Sequence, residues 1–343
     1  AKPGYEAYVA VDDEVFTVGN VTITVLHTPG HTLESTSYLL NDEQGKPYAI
    51  FTGDTLFIGD VGRPDLVQKL KAEITPQYLA GLLYDSLRTK IMTLPDEVIV
   101  YPGHGAGSAC GKKMDKETVS TIGKQKQFNY ALRADMKKEE FIDAVTDGLT
   151  EPPQYFPANV LMNVLGSETG IDDIIKNGTR ALTVREFEAA WEGNNAIVLD
   201  TRKKEDFVKG FIPGAIFIGI DDNFAPWVGA LIKDLKQPIL FLADKGREEE
   251  VVIRLARVGY DHALGYLLGG INAWLASGNT VDTQAELSAQ ELESLIRSEN
   301  KINVLDARRK SEFDAEHLVM AENFPLDTIN QNMSMLDKNK TYY

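Results

Sequence analysis

Val21-Thr22-Ile23-Thr24-Val25-Leu26-His27-Thr28-Pro29-Gly30-His31-Thr32 sets the pattern for the first third of this chain. Its first six residues are rich in β-branched side chains and follow the turn-prone pair Gly19-Asn20, which is a strand signal. Pro29-Gly30 then interrupts any regular element, and His31 stands directly behind it. The same order recurs twice. Tyr48–Thr52 (YAIFT) leads into Phe51-Thr52-Gly53-Asp54-Thr55-Leu56, and Val98–Tyr101 (VIVY) leads into Tyr101-Pro102-Gly103-His104-Gly105. Between these two, Pro76–Met92 spaces Tyr78, Leu79, Leu82, Leu83 and Leu87 as a helix does. Strands mixed with a helix predict a layered α/β domain.

Each polar motif sits where a strand ends. A rigid sheet can aim several such loops at one point, and the neighbouring Gly and Pro residues set tight turns. A single His or Asp on a loop is an ordinary hydrogen-bonding residue. Three motifs in this order instead point to a shared site, and two imidazoles with one carboxylate are a ligand set for zinc or non-haem iron.

Thr28-Pro29-Gly30-His31-Thr32, Phe51–Leu56 and Tyr101–Gly105 resemble the later metal-site motifs of the metallo-β-lactamase superfamily, over about residues 5–165. Within it, the stretch from Leu56 through Gly59-Asp60-Val61-Gly62-Arg63-Pro64-Asp65 to Leu66, and the loop from Gly105 to Gly111, are similar to persulfide dioxygenases and more distantly to glyoxalase II. The resemblance implies a mononuclear Fe(II) with His31 and Asp54 as ligands and His104 lining the site. In relatives with two metals, the residue matching His104 binds the second. The family's first motif, His-x-His-x-Asp-His, has no counterpart in the 30 residues before His31. The chain is therefore expected to be a fragment lacking the first ligand and the N-terminal half of the fold. The alternative is a protein that has lost metal binding.

Three further residues invite a role. Arg63, between Gly and Pro, is either a solvated arginine or, as the resemblance implies, a substrate-binding clamp on the carboxylate of a glutathione-like persulfide. Cys110, six residues beyond His104, is a candidate for handling persulfide sulfur, or else an inert buried thiol. His27 is four residues before His31, but Pro29-Gly30 forbids the helix that would pair them, so it is expected to be structural or to support the site from outside.

Residues 115–149 look helical and charged. Behind them, Pro152-Pro153-Gln154-Tyr155-Phe156-Pro157 reads as a connector. An internal repeat follows: Val198-Leu199-Asp200-Thr201-Arg202-Lys203-Lys204-Glu205-Asp206-Phe207 matches Val304-Leu305-Asp306-Ala307-Arg308-Arg309-Lys310-Ser311-Glu312-Phe313 at six of ten positions. Helices are expected before each copy, at Val184–Trp191 and Ala289–Ser298. An offset of 106 residues is that of tandem domains. With Gly210–Ala215 and Gly269-Gly270-Ile271-Asn272-Ala273-Trp274, the repeat resembles the rhodanese fold. In that family a cysteine opens the loop before a helix whose N-terminus stabilises a persulfide. Here the loop is Ala243-Asp244-Lys245-Gly246-Arg247-Glu248-Glu249, and Ala243 takes the cysteine position, so this copy is expected to be inactive. The second copy keeps His317, and the sequence stops at Thr341-Tyr342-Tyr343, ahead of the loop.

The fold expected is α/β: the C-terminal half of a metallo-β-lactamase αββα sandwich at 1–165, a linker at 166–178, one complete rhodanese-like domain at 179–282 and one partial at 283–343. A net charge of −16 over 343 residues speaks against nucleic acid or an anionic membrane as partner. No run approaches the ~18 apolar residues of a membrane span. The one cysteine excludes an internal disulfide and suits a reducing cytoplasm. The resemblance implies an Fe(II) sulfur dioxygenase that oxidises a low-molecular-weight persulfide with O2 to sulfite in sulfide detoxification, working as a homo-oligomer. Two alternatives stand beside it: a Zn(II) thioester hydrolase of the glyoxalase II type, and a non-catalytic sulfur-binding or scaffolding protein.

Overall fold

Gly19, with φ at 60°, and Asn20 close the two-residue turn between β1 (Val15–Val18) and β2 (Val21–His27), with Val18 opposite Val21. A positive φ at the first turn position suits the right-handed twist of paired strands. The structure is a computed structural model describing residues 3–66, 74–108, 110–149, 155–166, 169–298 and 302–343. It divides into two units, Ala1–Gly166 and Ser167–Tyr343.

In the first unit the meander continues through β3 (Thr36–Asn41) to β4 (Pro47–Gly53), all antiparallel. Helix α1 (Pro76–Ser86) opens with Thr75 accepting the Tyr78 N–H and with Pro76 in its first turn, where no amide is needed. It runs on into one wide turn, Leu87–Ile91, closed by Met92 N–H on the Leu87 carbonyl at 2.8 Å. The chain crosses over to β5 (Ile99–Pro102), parallel to β4, and then pairs β6 (Ser120–Thr121) antiparallel at the edge. The sheet order is β1-β2-β3-β4-β5-β6. Helices α2 (Ile122–Phe128), α3 (Lys138–Thr146) and α4 (Phe156–Leu165) complete the unit. Leu26, Leu39, Ile50 and Val100 on one sheet face bury against Leu83, Leu87, Ile91 and Phe141. Each such side chain contributes roughly 1.5–3 kcal/mol, which makes this layer the rigid base of the loops above it. The opposite face presents Tyr38, Phe51 and Tyr101, in register and exposed, with the last two rings stacked 5.4 Å apart.

The second unit starts with α5 (Ile171–Gly178), β7 (Ala181–Leu182) and α6 (Val184–Gly193), the last opened by a reciprocal Thr183/Glu186 cap. Then come β8 (Ile197–Asp200), α7 (Lys204–Phe207), β9 (Ile216–Phe217), α8 (Phe224–Leu231), β10 (Ile239–Leu242), α9 (Glu248–Ala256), β11 (Ala263–Leu267) and α10 (Gly270–Ala276). The five strands are parallel in the order β7-β11-β10-β8-β9. The central β10 reads Ile-Leu-Phe-Leu and is wholly buried, as a parallel strand covered on both faces should be. The second copy of the repeat adds α11 (Ala289–Ser298), β12 (Val304–Asp306), α12 (Lys310–Ala315) and β13 (Ala321–Asn323). β12 is parallel to β13, and Asn303 bridges to Tyr342. This is the expected α/β architecture, with one whole and one partial copy of the repeated unit. Among the described residues, no helix is long and apolar enough to cross a membrane.

Several local expectations change. Residues 115–149 are not one helical region: β6 interrupts them, because Ser120 and Thr121 pair with β5 and Thr121 then caps α2. Of the expected connector, Pro152-Pro153-Gln154 lies outside the described residues. Phe156 and Pro157 begin α4, since proline in a first turn forfeits no helical hydrogen bond. The stretch 166–178 holds α5, whose Ile174 is buried and whose Gly178 lies so close to Val252 that a Cβ would stand 2.8 Å from it. That helix packs into the second unit and does not behave as a linker.

Candidate functional site

β4 and β5 are parallel neighbours, so Asp54 and His104 leave the sheet at the same edge, with Gly103 N–H donating to the Gly53 carbonyl at 2.8 Å. The loop after β2 is drawn to the same place. Thr28 Oγ1 bonds Thr55 Oγ1 at 2.8 Å and Ser37 Oγ at 3.1 Å, all buried, and Ser86 Oγ donates to the Pro29 carbonyl at 2.8 Å. Gly30 takes φ 153° against α1, where a Cβ would stand 2.4 Å from that of Leu83. Only glycine allows so close an approach.

His31 Nε2 lies 3.5 Å from Asp54 Oδ2, and His104 Nε2 lies 3.3 Å from Asp54 Oδ1. The carboxylate thus offers one oxygen to each ring. His31 is buried, and its Nδ1 donates to the Arg63 carbonyl at 2.8 Å, which leaves Nε2 as the basic nitrogen facing Asp54. An ion bonded at ~2.0–2.1 Å to a nitrogen and an oxygen in tetrahedral geometry holds the two ~3.3 Å apart, close to the separation seen here. The donor set therefore fits a metal. His31, Asp54 and Cys110 bring one ligand atom each to within 4.8 Å of one another.

Without a metal these groups polarise one another. Hydrogen bonds to Asp54 and then to Cys110 push His104 up to about 10. Burial would raise the Cys110 thiol, but hydrogen bonds from His104 and His31 outweigh it and bring it down to about 6. Burial likewise opposes charge on Asp54, yet the His104 hydrogen bond and the two imidazoles hold its carboxyl below the usual range. For His31 burial works against protonation, and the Cys110 hydrogen bond with the Asp54 charge overcomes it.

The site is tightly framed. A Cβ on Gly62 would stand 1.9 Å from the Asp54 carbonyl oxygen and 3.0 Å from the His31 ring, and one on Gly103 would stand 3.0 Å from Asp54 Oδ1. The Arg63 side chain is buried, with Nε 2.6 Å and a terminal nitrogen 2.7 Å from the two oxygens of Asp65. Its backbone carbonyl is the group that accepts from His31 Nδ1. His27 stands apart from the cluster, its Nε2 bonded to the Leu33 carbonyl at 2.8 Å and its N–H to Asp12.

Asp60 escaped the sequence reading. It is fully buried, and its carboxylate accepts from the N–H groups of Val61, Lys112 and Lys113 at 2.8, 2.5 and 2.6 Å and from Tyr130 O–H at 3.1 Å. Asp60 lies in the Leu56–Leu66 stretch that carries the resemblance, but nothing in the sequence distinguishes it there from Asp65.

In the second unit Ala243 directly follows the central strand β10 and precedes α9. Gly246 N–H, at the mouth of that helix, donates to Glu248 Oε2 at 2.8 Å, and Arg247 is held by Asp221 and Glu250 at 2.8–3.0 Å. A carboxylate of the chain itself thus occupies this N–H. His317 stacks on Phe313 at 3.8 Å and bonds its carbonyl at 2.6 Å.

The sequence pattern of the Metallo-beta-lactamase superfamily matches residues 4–104, and that of the Rhodanese-like domain matches residues 183–277. The crystal structure of a metallo-beta-lactamase from Staphylococcus aureus subsp. aureus COL is 31% identical, with a TM-score of 0.62, covering 76% of this chain and 70% of that one. Glyoxylase B2 of Dictyostelium discoideum is 31% identical over 161 residues, 46% of this chain and 49% of that protein. The mitochondrial persulfide dioxygenase ETHE1 of Mus musculus is 33% identical over 151 residues, 43% of this chain and 50% of that protein. The chain spans about half the length of the curated relatives it matches.

Proposed function

The chain belongs to the metallo-β-lactamase superfamily and carries a rhodanese-like domain behind its first unit, and from that premise we propose that it serves as an Fe(II)-dependent persulfide dioxygenase. The observation that carries this reading is the presence, in one chain, of the His31–Asp54–His104 cluster and a rhodanese-like domain. The whole reaction balances as RSSH + O2 + H2O → RSH + SO3²⁻ + 2H⁺, with glutathione persulfide as the model substrate and a reducing cytoplasm as the setting. Likeness to a protein named persulfide dioxygenase supports the substrate class.

His31 and Asp54 would hold the ion, and His104 would line the site. Bound Fe(II) supplies the one-electron chemistry that lets O2 react with a persulfide. The rest falls to the protein. The Arg63 carbonyl fixes the tautomer and tilt of His31. Asp54, kept ionised by its two imidazole neighbours, supplies negative charge at neutral pH. His104, on the exposed side of Asp54, is placed to hold a proton near an entering anion. Arg63 would have to leave Asp65 to reach a substrate carboxylate, so we give it a positioning role.

A zinc thioester hydrolase is the second reading, favoured by the likeness to Glyoxylase B2 and by a donor set that zinc also accepts. The test is to load the protein with Fe(II) or Zn(II) and to follow O2 uptake with glutathione persulfide beside thioester hydrolysis. Sulfite formed one for one with O2 on iron supports the dioxygenase. Thioester hydrolysis on zinc without O2 uptake on iron supports the hydrolase. The rhodanese-like copy at Ala243 takes no persulfide of its own in this reading, because it has no thiol there and Glu248 fills the cradle.

A further inference from the structure

Three donor atoms of different chemistry converge at the ends of β2 and β4: a His31 nitrogen, an Asp54 oxygen and Cys110 Sγ, all within 4.8 Å of one another. A tetrahedral ion with a sulfur at ~2.3 Å and nitrogen or oxygen at ~2.0–2.1 Å holds such donors ~3.3–3.6 Å apart. Small side-chain rotations would close the difference. We propose that Cys110 is itself a metal ligand, completing with His31 and Asp54 a three-donor site for a thiophilic divalent ion. This rests on the reading above that His31 and Asp54 bind metal, and it makes Cys110 a ligand rather than a carrier of persulfide sulfur.

The backbone is built to deliver that sulfur. Arg63 joins two ligands at once: its carbonyl accepts from His31 Nδ1 at 2.8 Å, and its N–H donates to the Cys110 carbonyl at 2.9 Å. Beyond Cys110, the amides of Lys112 and Lys113 are anchored on the buried Asp60 carboxylate at 2.5 and 2.6 Å. On its other side, Cys110 N–H donates to Ser108 Oγ at 3.2 Å. A thiol held on both flanks loses little further freedom on binding. His104 lies outside the three-residue group and engages Asp54 through Oδ1, while His31 engages it through Oδ2. On binding, the S–H bond breaks, an S–metal bond forms and the proton passes to solvent, with no change of oxidation state. Thiolate favours zinc, cobalt and iron over magnesium or calcium.

The probe is Co(II), titrated anaerobically into the reduced, metal-free full chain and followed by absorption. The wild type is expected to bind one equivalent, with visible d–d bands and a near-ultraviolet thiolate-to-cobalt charge-transfer band. C110S should keep the d–d bands, lose the charge-transfer band and bind ~10-fold or more weakly. Wild type blocked with iodoacetamide should behave like C110S, which guards against a folding defect in the variant. D60N, which loosens the loop but keeps the thiol, should lose at least half of the charge-transfer intensity. Visible bands without charge transfer in the wild type, or charge transfer that survives in C110S, would overturn the proposal and leave the His31–Asp54 reading standing. No visible bands at any cobalt concentration would overturn both.

Discussion

Replacing Asp200 by Asn tests what holds the rhodanese-like sheet together, and the internal repeat supplies its own control. Asp200 ends β8 with a side chain 0% exposed, and Arg202, 9% exposed, grips it through Nε at 2.9 Å and a terminal nitrogen at 2.5 Å while also donating to the Gly210 carbonyl. Removing one partner of a buried pair leaves the other charge uncompensated and costs about 3–5 kcal/mol. The second copy makes the same fork between Arg308 and Asp306, but there Arg308 is 48% exposed. Water can replace the lost partner, so D306N should cost about 0–1 kcal/mol. All three tryptophans, Trp191, Trp227 and Trp274, lie in the first copy, so their fluorescence during urea unfolding reports on that fold. With a slope of about 1–2 kcal/mol per M for a domain this size, D200N should lower the midpoint by about 1.5 M or more. D306N should move it by well under 1 M and leave the far-ultraviolet circular dichroism melt near that of the wild type. A D200N loss below about 1 kcal/mol, or equal losses in both variants, would refute the claim that burial sets the cost of breaking this pair.

Gly62→Ala forces a Cβ into the Asp54 carbonyl; it should cost about 1–3 kcal/mol and sharply reduce bound metal, whereas Gly105→Ala, with nothing within 4 Å of its Cβ, should change neither melting nor elemental analysis. In metal-free protein the thiolate is the reactive form, so alkylation of Cys110 should rise with pH around a midpoint of about 6, and H104Q should move that midpoint upward by removing a hydrogen bond that favours the thiolate. An unchanged midpoint in H104Q would sink that assignment of cause. Ala243→Cys alone should give a thiol titrating near the free value of roughly 8.5, because Glu248 already occupies the Gly246 N–H; adding E248Q should lower it by about one unit, as read from alkylation rates with Cys110 replaced by Ser.

Much of the fold was legible along the chain because its signals are local. β-Branched runs marked β2, β4 and β5, the leucine spacing marked α1, and the VLDTR and VLDAR copies marked the repeat. Thr36–Asn41 gave no such signal: Ser37 points inward while Tyr38 stays exposed, which reverses the usual pattern, and the strand exists because β2 and β4 flank it. Ile171–Gly178 lay hidden behind a proline-rich stretch and is held by its packing on α9 and β11. At the site, the sequence by itself brought out His31, Asp54 and His104 as candidates, since they sit at strand ends in motifs readable within a few residues. Only the tertiary structure decided what orients them. The acceptor for His31 is the backbone of Arg63, 32 residues away, and the carboxylate that anchors the Cys110 loop is Asp60, 52 residues before Lys112. Ligand identity is a property of side-chain chemistry and survives in a one-dimensional string. Orientation depends on backbone groups that every residue carries alike, so no residue letter records it until the fold brings those groups together.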